Sequence, residues 1–142
     1  MDMLHVRTVP LLAVLADDYK KSELIDLLRP CCGDLDVVRL VATRDTGNLI
    51  RSRLGVDVEL VEAGARGGAF QIAALVVEGV VDGVIALHQT GLSLGDDAGM
   101  LAVRRMCEIH DVACATNAAT ARAVLSSLVG CDVSRRVCVV KC

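Results

Sequence analysis

The sequence has no tryptophan, one tyrosine and one phenylalanine. A groove for single-stranded nucleic acid stacks bases on several rings and tracks the backbone with clustered basic side chains. Here the basic residues are scattered and the formal net charge is -3, so nucleic acid is not an expected partner. Proline is scarce, with two residues, and no Ser-rich or charge-rich stretch divides the chain. The expectation is one domain covering 1–142. The apolar run 9–16 falls far short of the roughly 20 residues a bilayer-spanning helix needs, and Asp17 and Asp18 close it where a signal peptide would carry small residues. A soluble cytoplasmic protein without a membrane partner is expected. The cysteines, at 31, 32, 107, 114, 131, 138 and 142, include no CxxC pair, which argues against a zinc site, and no metal is expected. Cys107 and Cys114 fall among apolar residues and read as small core side chains. Cys31, Cys32 and Cys142 read as the more accessible thiols.

What the chain does have is aliphatic bulk. Apolar residues make up 54% of it and aromatics 1%, so the core must be built from Val, Leu, Ile and Ala. Such a core suits buried parallel strands, and the apolar excess points to a homo-oligomer. Runs of strand length alternate with segments of helical spacing: "PLLAVLA" then 20–28, "DVVRLVAT" then 46–54, "VDVELVEA" then 67–78, "GVIALH" then 98–110, and "VACAT" then 117–128, with Asn117 as N-cap. The strand runs are continuous rather than alternating, as when both faces are covered. The fold class this predicts is α/β, a doubly wound five-stranded parallel sheet with helices on both faces. "RRVCVVKC" is a candidate sixth strand at an edge.

In such sheets ligands sit beyond the carboxyl ends of the strands. That rule selects the loops at 17–21, 43–48, 63–68, 88–97 and 116–118. They hold the parts of an anion site: Lys21 at a helix start, the hydroxyls of Thr43 and Thr46, and the backbone amides of Gly47, Gly64, Gly67 and Gly68. Taken singly, Thr46 also reads as an N-cap and Lys21 as a solvated lysine, while Gly55 and Gly79 read as helix stops. The same rim carries Asp17, Asp18, Asp45, Asp96 and Asp97, acids that either cap helices and pair with Arg44 and Arg66 or raise one another's pKa and hold a cation. His88 is the one histidine at the rim.

Four stretches, "AVLADDYKK", "VATRDTGNLI", "EAGARGGAFQIAALVVEGVVDGVI" and "VACATNAATARAVL", together resemble the methylglyoxal synthase family up to about Leu128. The combination of ATxxTGNLI, GGxxQIxALxxEGxxDxVI and ATNxATA is specific where each alone is weak. A more distant resemblance is to the regulatory domain of carbamoyl phosphate synthetase, which shares the fold and binds effectors without chemistry. The nearer resemblance implies a homohexamer that converts dihydroxyacetone phosphate to methylglyoxal and phosphate without a cofactor. By position it carries phosphate contacts onto Lys21, Thr43, Thr46 and Gly64; Asp45 stands where the family has threonine and Ala63 where it has serine. The proton-removing aspartate of the family falls on Ala69, and the carbonyl-polarising histidine on Asp17. A third site position is Gln89, a histidine position is Asp96 and a further aspartate position is Gly99; Asp18 matches an acid of the family site. Two readings follow. One is a divergent carbon–oxygen lyase with Asp17, Asp18, His88 and Asp96 as catalytic candidates and a small phosphorylated or oxygenated metabolite as partner. The other is a non-catalytic module that binds a phosphorylated metabolite.

Overall fold

The run LLAVLA becomes strand β1, Leu11–Ala16, and its successive side chains enter two different cores. Leu12 and Val14 join one apolar cluster; Leu11, Ala13 and Leu15 join the other. A strand alternates its side chains between the faces of a sheet, so an unbroken apolar run means that both faces are covered. The structure, a computed structural model, describes residues 9–89 and 97–130.

Four further strands complete the sheet: β2 at Arg39–Ala42, β3 at Glu59–Leu60, β4 at Gly83–Leu87 and β5 at Ala113–Ala115. Every pairing is parallel, in the order β3-β2-β1-β4-β5. Helices α1 (Lys21–Leu28), α2 (Arg44–Leu54) and α5 (Ala118–Val129) supply Leu24, Ile50 and Leu125 to the first cluster. Helices α3 (Gly68–Val77) and α4 (Ala98–His110) supply Ile72 and Val103 to the second. The doubly wound five-stranded sheet expected from the alternation is therefore present. The strand order reverses between β1 and β4, the place where open α/β sheets form ligand crevices.

The helix boundaries have local causes. Gly55, at φ 66°, ends α2 in the left-handed conformation that suits glycine, and Gly79, at φ 77°, follows α3 in the same way. Asn117 caps α5 through a reciprocal box with Thr120. The N-cap of α2 is Thr43, and Thr46 lies within its first turn. Strand β3 is shorter than "VDVELVEA" because it pairs on one side only, through Val41↔Glu59 and Ala42↔Leu60. The expected sixth strand lies outside the described residues. Three 3-10 segments among the described residues were not anticipated, short turns at Asp18–Lys20 and Gly64–Arg66 and a longer one at Arg29–Val37 with Pro30 in its first turn. The longest has the largest effect. It turns Cys31 into the core, where the side chain is wholly buried, so the expectation of an accessible Cys31 is corrected. Cys32 is half-buried, Cys107 is buried and Cys114 is half-buried. No helix among the described residues is long and apolar enough to cross a membrane.

Glycine matters most where β3 turns into α3. A Cβ on Gly68 would stand on the Glu62 carbonyl oxygen and 3.0 Å from Thr43 Cγ2, whereas one on Gly64 would meet nothing within 4 Å. Gly68→Ala therefore destabilises the protein by about 1–3 kcal/mol and Gly64→Ala changes stability by less than about 0.5 kcal/mol. Urea unfolding of the two variants checks this; equal midpoints would contradict the packing.

Candidate functional site

Four of the loops selected above meet in one cleft of about 310 Å³ at the carboxyl ends of the strands. The β1 loop contributes Asp17, Asp18 and Lys21, and the β2 loop Thr43, Asp45 and Thr46. From beyond β3 come Gly64, Ala65, Ala69 and Phe70, and from the start of α4 Asp97, Gly99 and Met100. The fifth loop, 116–118, does not line it. Its Thr116 and Asn117 amides turn back onto Thr120 Oγ1 at 3.2 and 3.3 Å, in the α5 cap.

Thr43 and Thr46 are the buried polar residues among those described, 7% and 1% exposed. They lie on the cleft wall with Thr43 Oγ1 donating to Thr46 Oγ1 at 3.3 Å. The Thr43 side chain makes no cap bond to α2, and the first-turn amides of Asp45 and Thr46 have no acceptor within the helix. Hydroxyls and amides there give a donor-rich wall at the positive end of the helix dipole.

Lys21 reaches the opening and donates to Asp18 Oδ1 at 2.6 Å. That hydrogen bond, with the charge of the ammonium, holds the Asp18 carboxyl below the usual aspartate range. The Asp18 side chain is 89% exposed, so the pair is screened by water and an incoming anion can compete for the ammonium.

The four glycine amides differ. Gly47 donates to Thr43 O at 2.8 Å, Gly67 to Gly64 O at 3.2 Å and Gly68 to Ala63 O at 3.0 Å, all within the chain. Gly67 is left-handed at φ 97°, and a Cβ on Gly47 would run into Leu60. Gly47, within α2, thus serves close packing, Gly67 and Gly68 shape the turn into α3, and Gly64 is the one of the four that lines the cleft.

Asp17 is structural in its bonding. Its Oδ1 accepts from the Tyr19 amide at 3.1 Å and its Oδ2 from the Gln89 amide at 2.6 Å. His88 Nδ1 lies 3.5 Å from Asp17 Oδ2 and 3.9 Å from Asp97 Oδ2, with the imidazole 10% exposed. Neither ring nitrogen has a hydrogen-bond partner among the described residues. Asp97 caps α4, its Oδ1 accepting from the Met100 amide at 2.9 Å. Arg44 and Arg66 pair with Glu62, at 3.6 and 3.8 Å, rather than with the rim aspartates. Asp96 lies outside the described residues. Asp97, read from the sequence as one of the rim acids that cap helices or hold a cation but not as a catalytic candidate, caps α4 and lies on the cleft wall; its signal was its place directly before a helical run. No group of three or more His, Cys, Asp or Glu among the described residues is arranged to hold a metal ion.

Fold and cleft define a doubly wound α/β protein with a polar crevice at the topological switch point of its sheet. No protein-family model matches the chain. Over 121 residues it is 40% identical to methylglyoxal synthase of Burkholderia thailandensis, which covers 85% of this chain and 93% of that protein. The methylglyoxal synthase of Burkholderia mallei aligns with the same identity and coverage. A crystal structure of methylglyoxal synthase from Elizabethkingia anophelis matches with a TM-score of 0.75 at 32% identity, covering 84% of this chain and 81% of that one. The chain belongs to the methylglyoxal synthase family.

The Asp18–Lys21 pair has a direct solution readout. Carbon-detected NMR titration places the Asp18 carboxyl below ordinary aspartates, and Lys21→Met returns it to the ordinary range. The pair is formed above the ordinary aspartate pKa and lost as pH falls through the lowered value. An Asp18 titration unmoved by Lys21→Met would show that the pair does not form in solution.

Proposed function

We propose that the chain is a divergent carbon–oxygen lyase acting on a small phosphorylated hydroxyketone, of which dihydroxyacetone phosphate is the family example. The observation that carries this reading is the meeting, in one cleft, of Lys21, Thr43, Thr46 and Gly64 with the carboxylates of Asp17, Asp18 and Asp97. The phosphate takes the cationic and donor-rich wall. Lys21 turns from Asp18 to the anion, the threonine hydroxyls and the first-turn amides of α2 donate to it, and Gly64 lets its backbone approach. The reacting carbons then lie toward Asp97 and Ala69. By family resemblance no cofactor is needed, the protein works in the cytoplasm and it assembles as a homohexamer. The exposed apolar side chains Phe70, Val77, Leu101 and Ile109 on α3 and α4 support assembly.

A second reading rests on one position. Ala69, where resemblance places the proton-removing aspartate, presents a methyl group to the cleft beside Phe70. General-base catalysis contributes about 100- to 10,000-fold, and a chain without it would keep a metabolite-binding module of the same fold.

Incubation with dihydroxyacetone phosphate, following both inorganic phosphate and methylglyoxal, separates the two. The lyase reading expects catalytic release of both; binding without release would establish the module. In either case a phosphorylated ligand at a hundred times its dissociation constant adds about 2.7 kcal/mol of stability. Lys21→Ala, which removes a charged hydrogen bond of about 1.5–3 kcal/mol, weakens that ligand by roughly ten- to a hundredfold. A thermal shift unchanged in Lys21→Ala would place the ligand elsewhere.

A further inference from the structure

If the chain is a lyase, a proton must leave carbon although residue 69 is alanine. A carboxylate that lines the cleft beside Ala69 and Gly99 is Asp97. A Cβ placed on Gly99 would lie 2.8 Å from Ala69 Cβ and 3.7 Å from Asp97 Oδ1, so Asp97 and Ala69 flank the same glycine on the cleft wall. The bond from the Met100 amide to Oδ1 fixes the carboxylate, and Oδ2 makes no hydrogen bond among the described residues. Behind Oδ2, at 3.9 Å, stands His88 Nδ1. The imidazole is nine-tenths buried and without a hydrogen-bond partner among the described residues, and its other carboxylate neighbour, Asp17, is held by two backbone amides. A buried imidazole between two carboxylates can turn a donor toward either one.

We propose that Asp97 is the proton acceptor of this protein, a base moved across Gly99 from position 69, with His88 as the residue that positions its carboxylate. The inference rests on the lyase reading above. In the reaction Asp97 Oδ2 takes a proton from the hydroxymethyl carbon beside the substrate carbonyl. The freed electron pair forms the carbon–carbon double bond of an enediolate, with the charge on the former carbonyl oxygen. As the hydroxyl proton of that carbon passes to the leaving phosphate, an aldehyde forms, the double bond shifts to the neighbouring carbon and the carbon–oxygen bond to phosphate breaks with its electrons. Asp97 returns its proton to the new methylene carbon, giving the ketoaldehyde and hydrogen phosphate.

The test compares wild type, Asp97→Asn, Asp97→Ser and His88→Gln with dihydroxyacetone phosphate. Asn and Ser are good helix caps, so the Asp97 variants keep the melting temperature and the ligand-induced thermal shift. Asp97→Asn lowers kcat by about 100- to 10,000-fold, and formate restores part of the kcat of Asp97→Ser, which loss of a cap would not allow. His88→Gln lowers kcat with KM unchanged. Wild-type kcat in Asp97→Asn overturns the assignment of the base while the lyase reading stands. Wild-type kcat in His88→Gln overturns the positioning role. Ligand binding by the wild type with no phosphate release overturns the lyase reading and this proposal with it.

Discussion

The Asp17 carboxylate is the fastening on which the rim depends. It follows β1, the central strand, whose Asp17 amide still donates to Leu87 O of β4 at 3.1 Å. Its side chain then closes the gap at the switch point by accepting from the Gln89 amide at 2.6 Å and from the Tyr19 amide at 3.1 Å. Charge-assisted bonds of this kind are about twice as strong as neutral ones, and these hold together the exits of two strands that the topology would otherwise let diverge. Lys21 on one side and His88 on the other take their places from that junction.

The second constraint is close approach. Gly68 lets the start of α3 press against the Glu62 carbonyl and Thr43, and the same carbonyl accepts from the Arg44 amide at 3.3 Å. The loops after β2 and β3 are thereby locked to each other, and the Thr43–Thr46 wall faces Gly64 across a gap of small-molecule size. Glycines that looked like anion donors are mostly the means by which backbones pack. The chemical character of the cleft is then set by a few side chains, cationic and donor-rich toward Lys21 and the threonines, apolar at Ala69 and Phe70, and acidic at Asp97.

The sheet was legible in the sequence because parallel strands buried on both faces leave an unmistakable run such as LLAVLA, and because helix ends are marked by local chemistry, the left-handed backbone of Gly55 and the capping side chain of Asn117. The family was legible from several motifs in a fixed order. The 3-10 segment at Arg29–Val37 was not, since it has neither strand nor helix periodicity, and the burial of Cys31 followed from it. Motifs placed Lys21, Thr43, Thr46 and Gly64 at the rim, and the structure brings them to one cleft. They did not show that Asp17 has both oxygens engaged by amides, that Arg44 and Arg66 turn to Glu62, or that Asp97 and Ala69 flank Gly99. Those are consequences of tertiary geometry, which residue spacing does not encode.

That this cleft takes the phosphate of a small metabolite is tested most directly by a crystal structure of the protein soaked with dihydroxyacetone phosphate. The expected result is phosphate density in contact with Lys21 Nζ, the hydroxyl of Thr46 and the backbone at Gly64, with Asp18 released from Lys21. Phosphate bound elsewhere, with the Asp18–Lys21 pair intact in the cleft, would contradict it.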